Sequence, residues 1–195
     1  MRNRRDKGLF LGLCLLWAGL ASAADDFRLL TVPRHIPERG NVNSYVLLCE
    51  SNRYSFIPPA GWFVRVEAAQ RSVIFTSRDH TATLSLTMAE APAQTGVEPK
   101  PEALRELVEG RFPEARVVQE FGCHSGAGSG KAFDLEQTVK SNKVVARRLA
   151  LVPVSKGRAE FLLVYPPQKT AALHAAFGNM LTSFRPERGP EDRKE

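Results

Sequence analysis

The sequence of 195 residues contains few of the side chains from which metal centres and catalytic sites are built. It has three cysteines and four histidines, and no two of the histidines stand at the spacing of metal ligands. Cys123-His124-Ser125 places three reactive side chains in a row, but neighbours on a strand point to opposite faces, and no third group completes a catalytic set. We therefore expect no enzymatic activity, no metal site and no cofactor.

A phosphate-binding loop is also missing. The glycine-rich stretch that ends at Lys131 has Ser125 where the loop pattern requires glycine, and Ala132 where it requires serine or threonine. We expect a strand after this stretch, so its backbone amides would lack the helix dipole that binds phosphate. Its composition instead predicts a flexible glycine-serine loop over residues 122–130.

Long apolar runs are absent except at the N-terminus. Four basic residues precede an apolar run of thirteen residues, 8–20, and the small-residue triplet Ala21-Ser22-Ala23 follows. A spanning helix requires roughly 20 apolar residues, so the pattern predicts a cleaved signal peptide at residues 1–23 rather than a membrane anchor. We expect an exported protein, periplasmic or secreted, with no transmembrane segment after cleavage.

The charge of the chain is only mildly positive once this leader is set aside. The net charge falls from +6 to +3, because residues 1–23 contain four Arg or Lys residues and one Asp. A mixed, weakly basic surface suits solubility and does not indicate a nucleic-acid partner.

Hydrophobic periodicity places strands, a helix, more strands and a second helix in that order. Alternation and apolar runs predict strands at residues 45–49, 54–57, 63–68, 72–77, 82–88, 116–121, 133–139, 144–154 and 158–165, and helices at about 101–110 and 168–182. Short turns between strands favour antiparallel pairing, and two helices cannot cover both faces of a long parallel sheet. The predicted fold is α+β, a mostly antiparallel sheet with two main helices packed on it.

The predicted order divides the chain into a leader, a loosely ordered N-terminal segment at residues 24–43, a single α+β domain at 44–185 and a disordered, charged tail at 186–195. Within the domain, Pro58-Pro59-Ala60-Gly61-Trp62 forms a corner, since proline cannot donate to a ladder and glycine allows a sharp turn. We expect the large apolar side chains around this corner and in the second helix to form the core. They are Phe56, Trp62, Phe75, Phe177 and Phe184.

The proline-glycine-tryptophan corner belongs to a wider pattern of motifs. The others are strand 72–77, Arg111-Phe112-Pro113, the meander 146–165 and the closing Met180-Leu181-Thr182-Ser183-Phe184. With these motifs, residues 45–185 resemble the PsbP/Mog1-like group of α-β sandwich domains, which includes DcrB-like and other small exported proteins. The resemblance implies the sandwich fold and a binding or scaffolding role. It transfers no functional residue, because the matching motifs are structural.

Two features of the mature sequence bear on stability and binding. Cys49 and Cys123 remain after the leader, and in an oxidising compartment we expect them to form a disulfide, the alternative being two separate buried thiols. Arg147, Arg148, Lys156 and Arg158 cluster at one end of the meander in sequence. They form either a patch for an anionic partner or a solvated strand edge that charge protects from aggregation.

Two functions follow from these observations. The first is an exported, non-catalytic binding or scaffolding domain that acts on a partner protein or an envelope component. The alternative is a carrier that holds a small apolar ligand between sheet and helices, in a pocket lined by Trp62, Phe75 and Phe177. A filled core with an exposed surface patch would favour the first function.

Overall fold

The computed structural model describes residues 26–37, 40–90, 101–139 and 143–187. Its strands are β1 (Phe27–Ile36), β2 (Gly40–Cys49), β3 (Asn52–Phe56), β4 (Phe63–Glu67), β5 (Ser72–Thr76), β6 (Thr83–Glu90), β7 (Arg116–Ser125), β8 (Gly128–Val139), β9 (Lys143–Val154), β10 (Gly157–Tyr165) and β11 (Arg185–Pro186). Its helices are α1 (Pro101–Arg111) and α2 (Thr170–Ser183). None of the helices in these ranges is long and apolar enough to cross a membrane.

The strands form two sheets in which all neighbours are antiparallel. The smaller sheet has the order β1-β2-β3-β11 and the larger one the order β4-β5-β6-β10-β9-β8-β7. Strands that are consecutive in sequence pair through short turns, as β8, β9 and β10 do. Two pairs join strands that are distant in sequence: β6 pairs with β10, which follows only after α1 and three further strands, and β3 pairs with β11. The predicted α+β class with antiparallel pairing is therefore confirmed, with two sheets in place of one.

The proline-rich corner carries the chain from one sheet to the other. β3 ends at Phe56 in the smaller sheet, and β4 begins at Phe63 in the larger one. Gly61 adopts a left-handed backbone, with φ of 74°, and its carbonyl accepts a hydrogen bond from Arg78 Nε at 3.0 Å. The prolines end the β3 ladder because they have no backbone N–H to donate.

The main core lies between the two sheets and under α2. Leu47 and Phe56 point inward from the smaller sheet, Leu84 and Phe161 from the larger one, and Phe177 from α2. Aromatic rings cross the interface: Phe184, just after α2, stacks on Tyr54 and meets Phe161 edge-on. Such pairs add about 0.5–1.5 kcal/mol each to the burial of apolar area.

A second, smaller core lies on the opposite face of the larger sheet. Val108 of α1 packs there on Phe133 and Leu135 of β8 and on Leu149 and Leu151 of β9. Since successive strand residues alternate in direction, β8 and β9 serve both cores at once. Four consecutive residues of β9, 149–152, are consequently buried.

Two predicted segments differ from the structure. Residues 24–43 were expected to be loosely ordered, but they contain β1 and the start of β2, which pair along ten residues. Pro33 is compatible with this strand because β1 lies at a sheet edge. The loop predicted over 122–130 is instead a hairpin, since β7 and β8 are paired from Ser125↔Gly128 onward.

Other predicted segments fall partly or wholly outside the described residues. The signal peptide at residues 1–23 lies outside them, as does most of the charged tail. Arg185, the last residue of the predicted domain, and Pro186, the first of the predicted tail, form β11 and pair with β3.

Candidate binding surfaces

The outer edge of β4 is the most apolar exposed surface that the structure describes on a sheet edge. Phe63, Val64 and Val66 are 57%, 41% and 40% exposed, respectively. Their partners on β5 show that Val64 and Val66 lie on the main-core face of the sheet, opposite Phe75 and Val73, whereas Phe63 lies on the other face. We call Phe63, Val64 and Val66 the β4 edge surface.

Few polar side chains cover this surface. Phe63 stacks on His80, with ring centroids 5.5 Å apart and the planes 12° from parallel. Arg65 Nη2 pairs with Glu67 Oε1 at 2.7 Å, so the two charges on the strand neutralise each other. The surface is therefore apolar and carries no net charge along β4.

The remaining sheet edges carry features that discourage pairing with another chain. β1 contains Pro33, and β11 is two residues long and ends in Pro186. β7 has an irregular register between Val117 and Gln119, as expected for a bulge that bends the edge. β4 has neither a proline nor a bulge, and proteins commonly use such devices to protect exposed edges.

The predicted anionic-partner residues do not share one surface. Arg148 points toward α2 and makes a two-pronged ion pair with Asp134, with distances of 2.7 and 2.6 Å. Arg158 lies on the opposite face, where its Nε donates to buried Glu160 at 2.6 Å. Lys156 is in the β9–β10 turn, 3.5 Å from Glu50. Each of the three cations has a carboxylate partner, and no two of the three share one.

Arg147 differs from these three cations because it has no carboxylate partner within the described ranges. Its guanidinium lies over the Phe112 ring, 5.6 Å from the centroid, and its Nη1 atom is buried without a hydrogen-bond partner. Burial lowers the pKa of Arg147. Arg111 contacts the same ring from the end of α1, so this side of α1 holds cations on an aromatic ring.

The thiols do not form the predicted disulfide, since both cysteines are free and buried in the structure. Cys49 ends β2, and its sulfur accepts a hydrogen bond from Arg71 Nη2 at 3.0 Å, beside the start of β5. Cys123 is on β7, and four strands separate β5 from β7 in the larger sheet. Because Cys49 lies beside β5, five strand spacings, roughly 24 Å, separate it from Cys123 on β7. A disulfide requires Cα atoms within about 7 Å of each other.

Cys123, His124 and Ser125 also remain separate. Burial raises the pKa of the Cys123 thiol to about 11, against the smaller effect of a backbone hydrogen bond from Gly130. His124 is exposed, and its Nδ1 lies 3.0 Å from Ser129 Oγ, while Ser125 donates to the Gly128 carbonyl. The thiol and the imidazole thus point to opposite faces of β7, as alternation along a strand requires.

His174 is part of a half-buried polar cluster between α2 and the larger sheet. Its Nε2 lies 2.6 Å from Tyr165 Oη, and the Asp134–Arg148 pair is close enough to influence both groups. Burial, followed by Arg148, lowers the pKa of His174. Burial, followed by Asp134, raises the pKa of Tyr165. Both shifts favour the neutral forms, which is consistent with a structural hydrogen bond.

The residues expected to line an apolar pocket are mostly in the filled core. Phe75 is stacked on Tyr45 and edge-on to Phe56, and Phe177 meets Phe161 edge-on. Trp62, expected in the core, is half-buried and packs against the rim of the main core. Phe56 and Phe184 are buried. Across the described ranges, no group of three or more His, Cys, Asp or Glu side chains is arranged to hold a metal ion.

The fold of this chain is similar to that of solved structures. The solution structure of cyanobacterial PsbP (CyanoP) from Synechocystis sp. PCC 6803 superimposes with a TM-score of 0.52 at 15% sequence identity, covering 90% of this chain and 98% of that one. The chain has the PsbP/Mog1-like fold. The resemblance inferred from the motifs is confirmed at this level.

Two further structures with weaker similarity were found. The Ran-binding protein Mog1p of Saccharomyces cerevisiae gives a TM-score of 0.49 at 11% identity, covering 81% of this chain and 96% of Mog1p. LpqN of Mycobacterium tuberculosis, involved in cell envelope biogenesis, gives 0.43 at 14% identity, covering 87% of this chain and 97% of LpqN. No family model and no curated protein matches the sequence.

Sequence reasoning missed the β4 edge surface. Residues 63–68 were predicted as a strand, but pairing order is not encoded locally, so the sequence does not tell which strands lie at an edge. The signal in retrospect is that Phe63, Val64 and Val66 put apolar side chains on both faces of one short strand. A half-buried strand would alternate with polar residues.

Proposed function

We propose that the protein is an exported, non-catalytic binding domain that takes up an extended segment of a partner protein as an added strand along β4. The observation that supports this proposal is the β4 edge surface, an apolar sheet edge with no protective proline or bulge. The predicted leader at residues 1–23 supports a partner outside the cytoplasm.

The physical basis is the pairing capacity of an edge strand. β4 pairs with β5 on one side, and no strand of the described ranges pairs with its other side. Backbone N–H and C=O groups on that side are free to form a ladder with an incoming peptide, which gives affinity. Phe63 on one face and Val64 and Val66 on the other would select apolar side chains on both faces of the added strand.

The carrier function has less support. Phe75 and Phe177 pack against aromatic neighbours in the core, so they do not line an open space for a ligand. Trp62 lies at the rim of the core, next to β4. Its position adds a large amphipathic ring close to the proposed binding edge, where such residues commonly contribute affinity.

The experiment is site-specific photo-crosslinking followed by measured binding. A photoreactive phenylalanine at position 63 captures the partner in native cells, and mass spectrometry identifies the partner and the cross-linked segment. The purified partner is then titrated against the wild type and the double variant Val64→Lys/Val66→Lys. The matched control is Val118→Lys/Val144→Lys, which makes the same two changes at exposed valines on other strands.

We expect the β4 double variant to bind at least about tenfold more weakly, the equivalent of about 1.4 kcal/mol, since lysine on an edge strand opposes pairing. The control should bind like the wild type. Equal affinities for all three proteins would overturn the proposal. A small apolar molecule released from the native protein, with no partner captured at position 63, would establish the carrier function instead.

A further inference from the structure

A cavity of about 360 Å³ opens between several separate parts of the chain. Arg34 and His35 reach it from the end of β1, Ser44 from β2, Thr182 from the last turn of α2, and Arg185 from β11. The cavity is bounded by the smaller sheet, the end of α2 and the β7–β8 turn, and none of its lining residues belongs to β4. We call it the cationic cavity.

Among the residues that the structure describes, the lining of the cationic cavity contains two arginines and a histidine but no acidic residue. Arg34 makes no ion pair within the described ranges, and Arg185 Nε donates only a long hydrogen bond, 3.4 Å, to Ser55 Oγ. Arg148 and Arg158, by contrast, are each bound to a carboxylate. Two guanidinium groups that have no carboxylate partner among the described residues face one cavity, and they concentrate positive charge there.

The walls of the cavity are fixed by hydrogen bonds that do not involve these cations. Ser183 Oγ accepts from the Ile57 N–H and donates to the Met180 carbonyl, both at 2.9 Å. Ser44 Oγ donates to the Phe56 carbonyl at 3.3 Å. These serines therefore hold α2, β2 and β3 together. His35 Nδ1 lies 3.1 Å from Asn41 Oδ1, so the groups left to bind a ligand are the arginines, the other ring nitrogen of His35 and the Thr182 hydroxyl.

Gly126 brings the β7–β8 turn against the same cavity. A Cβ atom at this position would lie 2.6 Å from Arg185 Cβ and 3.1 Å from the Phe184 carbonyl oxygen. Only glycine fits there without displacing the chain that carries Arg185. The turn thus belongs to the wall of the cavity, although its sequence does not match a phosphate loop.

The C-terminal end of α2 acts against anion binding, but weakly. A helix end carries about half a negative charge, and two of the last carbonyls, of Met180 and Leu181, are already occupied by the Phe184 N–H. Two full positive charges on Arg34 and Arg185 exceed this effect. The balance of charge in the cavity is therefore positive.

We propose that the cationic cavity binds an organic phosphate. Arginine forks match phosphate oxygens in a bidentate manner, and two forks facing one space suit a group with three or four acceptor oxygens. A volume of about 360 Å³ exceeds the roughly 30 Å³ occupied by one water molecule many times over. It accommodates a phosphate together with a small polar group such as glycerol.

The same phosphoglycerol chemistry occurs in a free metabolite and in an anionic phospholipid headgroup. Leu30 and Val32, 46% and 42% exposed, lie on the outer face of β1 that also bears Arg34. The experiment therefore has two arms. In one, glycerol 3-phosphate is titrated calorimetrically into the purified protein at low ionic strength. In the other, the protein is sedimented with vesicles of phosphatidylglycerol or of phosphatidylcholine.

The variant tested in both arms is Arg34→Gln/Arg185→Gln. Because both changed side chains are exposed, we expect this variant to stay folded. Its melting temperature checks that it does. A single Arg34→Gln change is compared with Arg116→Gln, which removes one arginine charge from an exposed site on β7. This comparison separates a specific site from a general effect of net charge.

We expect binding in at least one arm, weakened at least about tenfold in the double variant and unchanged in Arg116→Gln. Binding of glycerol 3-phosphate identifies a free phosphate ligand, and binding only to phosphatidylglycerol vesicles identifies a lipid headgroup. Absence of binding in both arms, or equal loss in Arg34→Gln and Arg116→Gln, overturns the proposal. Either result leaves the function proposed for β4 unaffected.

Discussion

Replacing Gly130 by alanine tests the closest approach of two strands in the larger sheet. A Cβ atom at Gly130 would lie 2.2 Å from the Leu151 carbonyl oxygen of β9, and 3.1 Å from Val152 Cα. Because Cβ contacts are essentially never shorter than 3.0 Å, β8 and β9 must separate by at least 0.8 Å. Ladder hydrogen bonds near 2.9 Å would lengthen to about 3.7 Å, beyond the range of a good bond.

The expected cost of this change is about 3–4 kcal/mol. Two weakened ladder bonds contribute about 1 kcal/mol each, and overpacking in a buried region adds about 1–2 kcal/mol. Gly178→Ala is the control, since Gly178 lies inside α2 with nothing within 4 Å of the added atom. That variant should be more stable than the wild type by about 0.5–1 kcal/mol.

The assay is urea unfolding followed by circular dichroism, with the slope of the transition compared between proteins. Opposite signs for the two glycine variants, at unchanged slope, would support the described contact. A Gly130→Ala protein within about 0.5 kcal/mol of the wild type would show that β8 and β9 do not approach as closely as the structure states.

Three further predictions concern titratable groups. Burial lowers the pKa of His174 below its ordinary 6.5, so the unfolded chain binds its proton first, and stability should fall as pH drops below 6.5, by less than about 1.4 kcal/mol per pH unit. His174→Gln should remove this dependence, and an identical pH profile would contradict the argument. Cys123, with a pKa of about 11, should resist iodoacetamide at pH 8 in the folded protein, whereas unfolding should make both Cys49 and Cys123 reactive. Rapid labelling of Cys123 in the folded protein would contradict this prediction. Glu160→Gln should lower the free energy of unfolding by about 1–3 kcal/mol, because it leaves Arg111 and Arg158 without a buried carboxylate. The surface change Glu136→Gln should cost about 0.5 kcal/mol or less, and equal costs for the two variants would show that burial is irrelevant.

The sequence was sufficient to predict the elements whose periodicity is local. Leu84, Leu86 and Met88 alternate with polar residues, and the structure has β6 there with all three buried. Pro101 was placed at the first turn of the first helix, where α1 begins. In both cases one apolar face is enough to define the element, because burial follows directly from the period.

The pairing of distant strands could not be read in the same way. β1 contains Pro33, and its outward-facing Leu30 and Val32 hide its alternation, so the sequence pattern looked irregular. The structure orders this segment through ten pairs with β2. Its stability comes from partners that a local pattern does not identify, and the same reason explains why the disulfide prediction was wrong.

The candidate sites were even less accessible from the sequence. Arg34 and Arg185 line one cavity although they are 151 positions apart, and neither stands in a motif. The four basic residues chosen from the meander are close in sequence, but alternation sends Arg147 and Arg148 to opposite faces. The prediction that the four basic residues form one patch was therefore wrong, because it relied on proximity in sequence. The cavity, in contrast, is lined by residues that only the topology brings together.

The pairing of β11 with β3 has a consequence for when the protein can fold. The Ile57 N–H bonds to Ser183 Oγ across 126 positions, and Arg185 lies opposite Ser55. During synthesis the ribosome delivers Ser183 and Arg185 long after β1, β2 and β3 have emerged. The smaller sheet thus lacks its fourth strand, and its core lacks Phe184, until residues 184–186 have been synthesised. A nascent chain that has not yet reached Phe184 therefore cannot complete the main core.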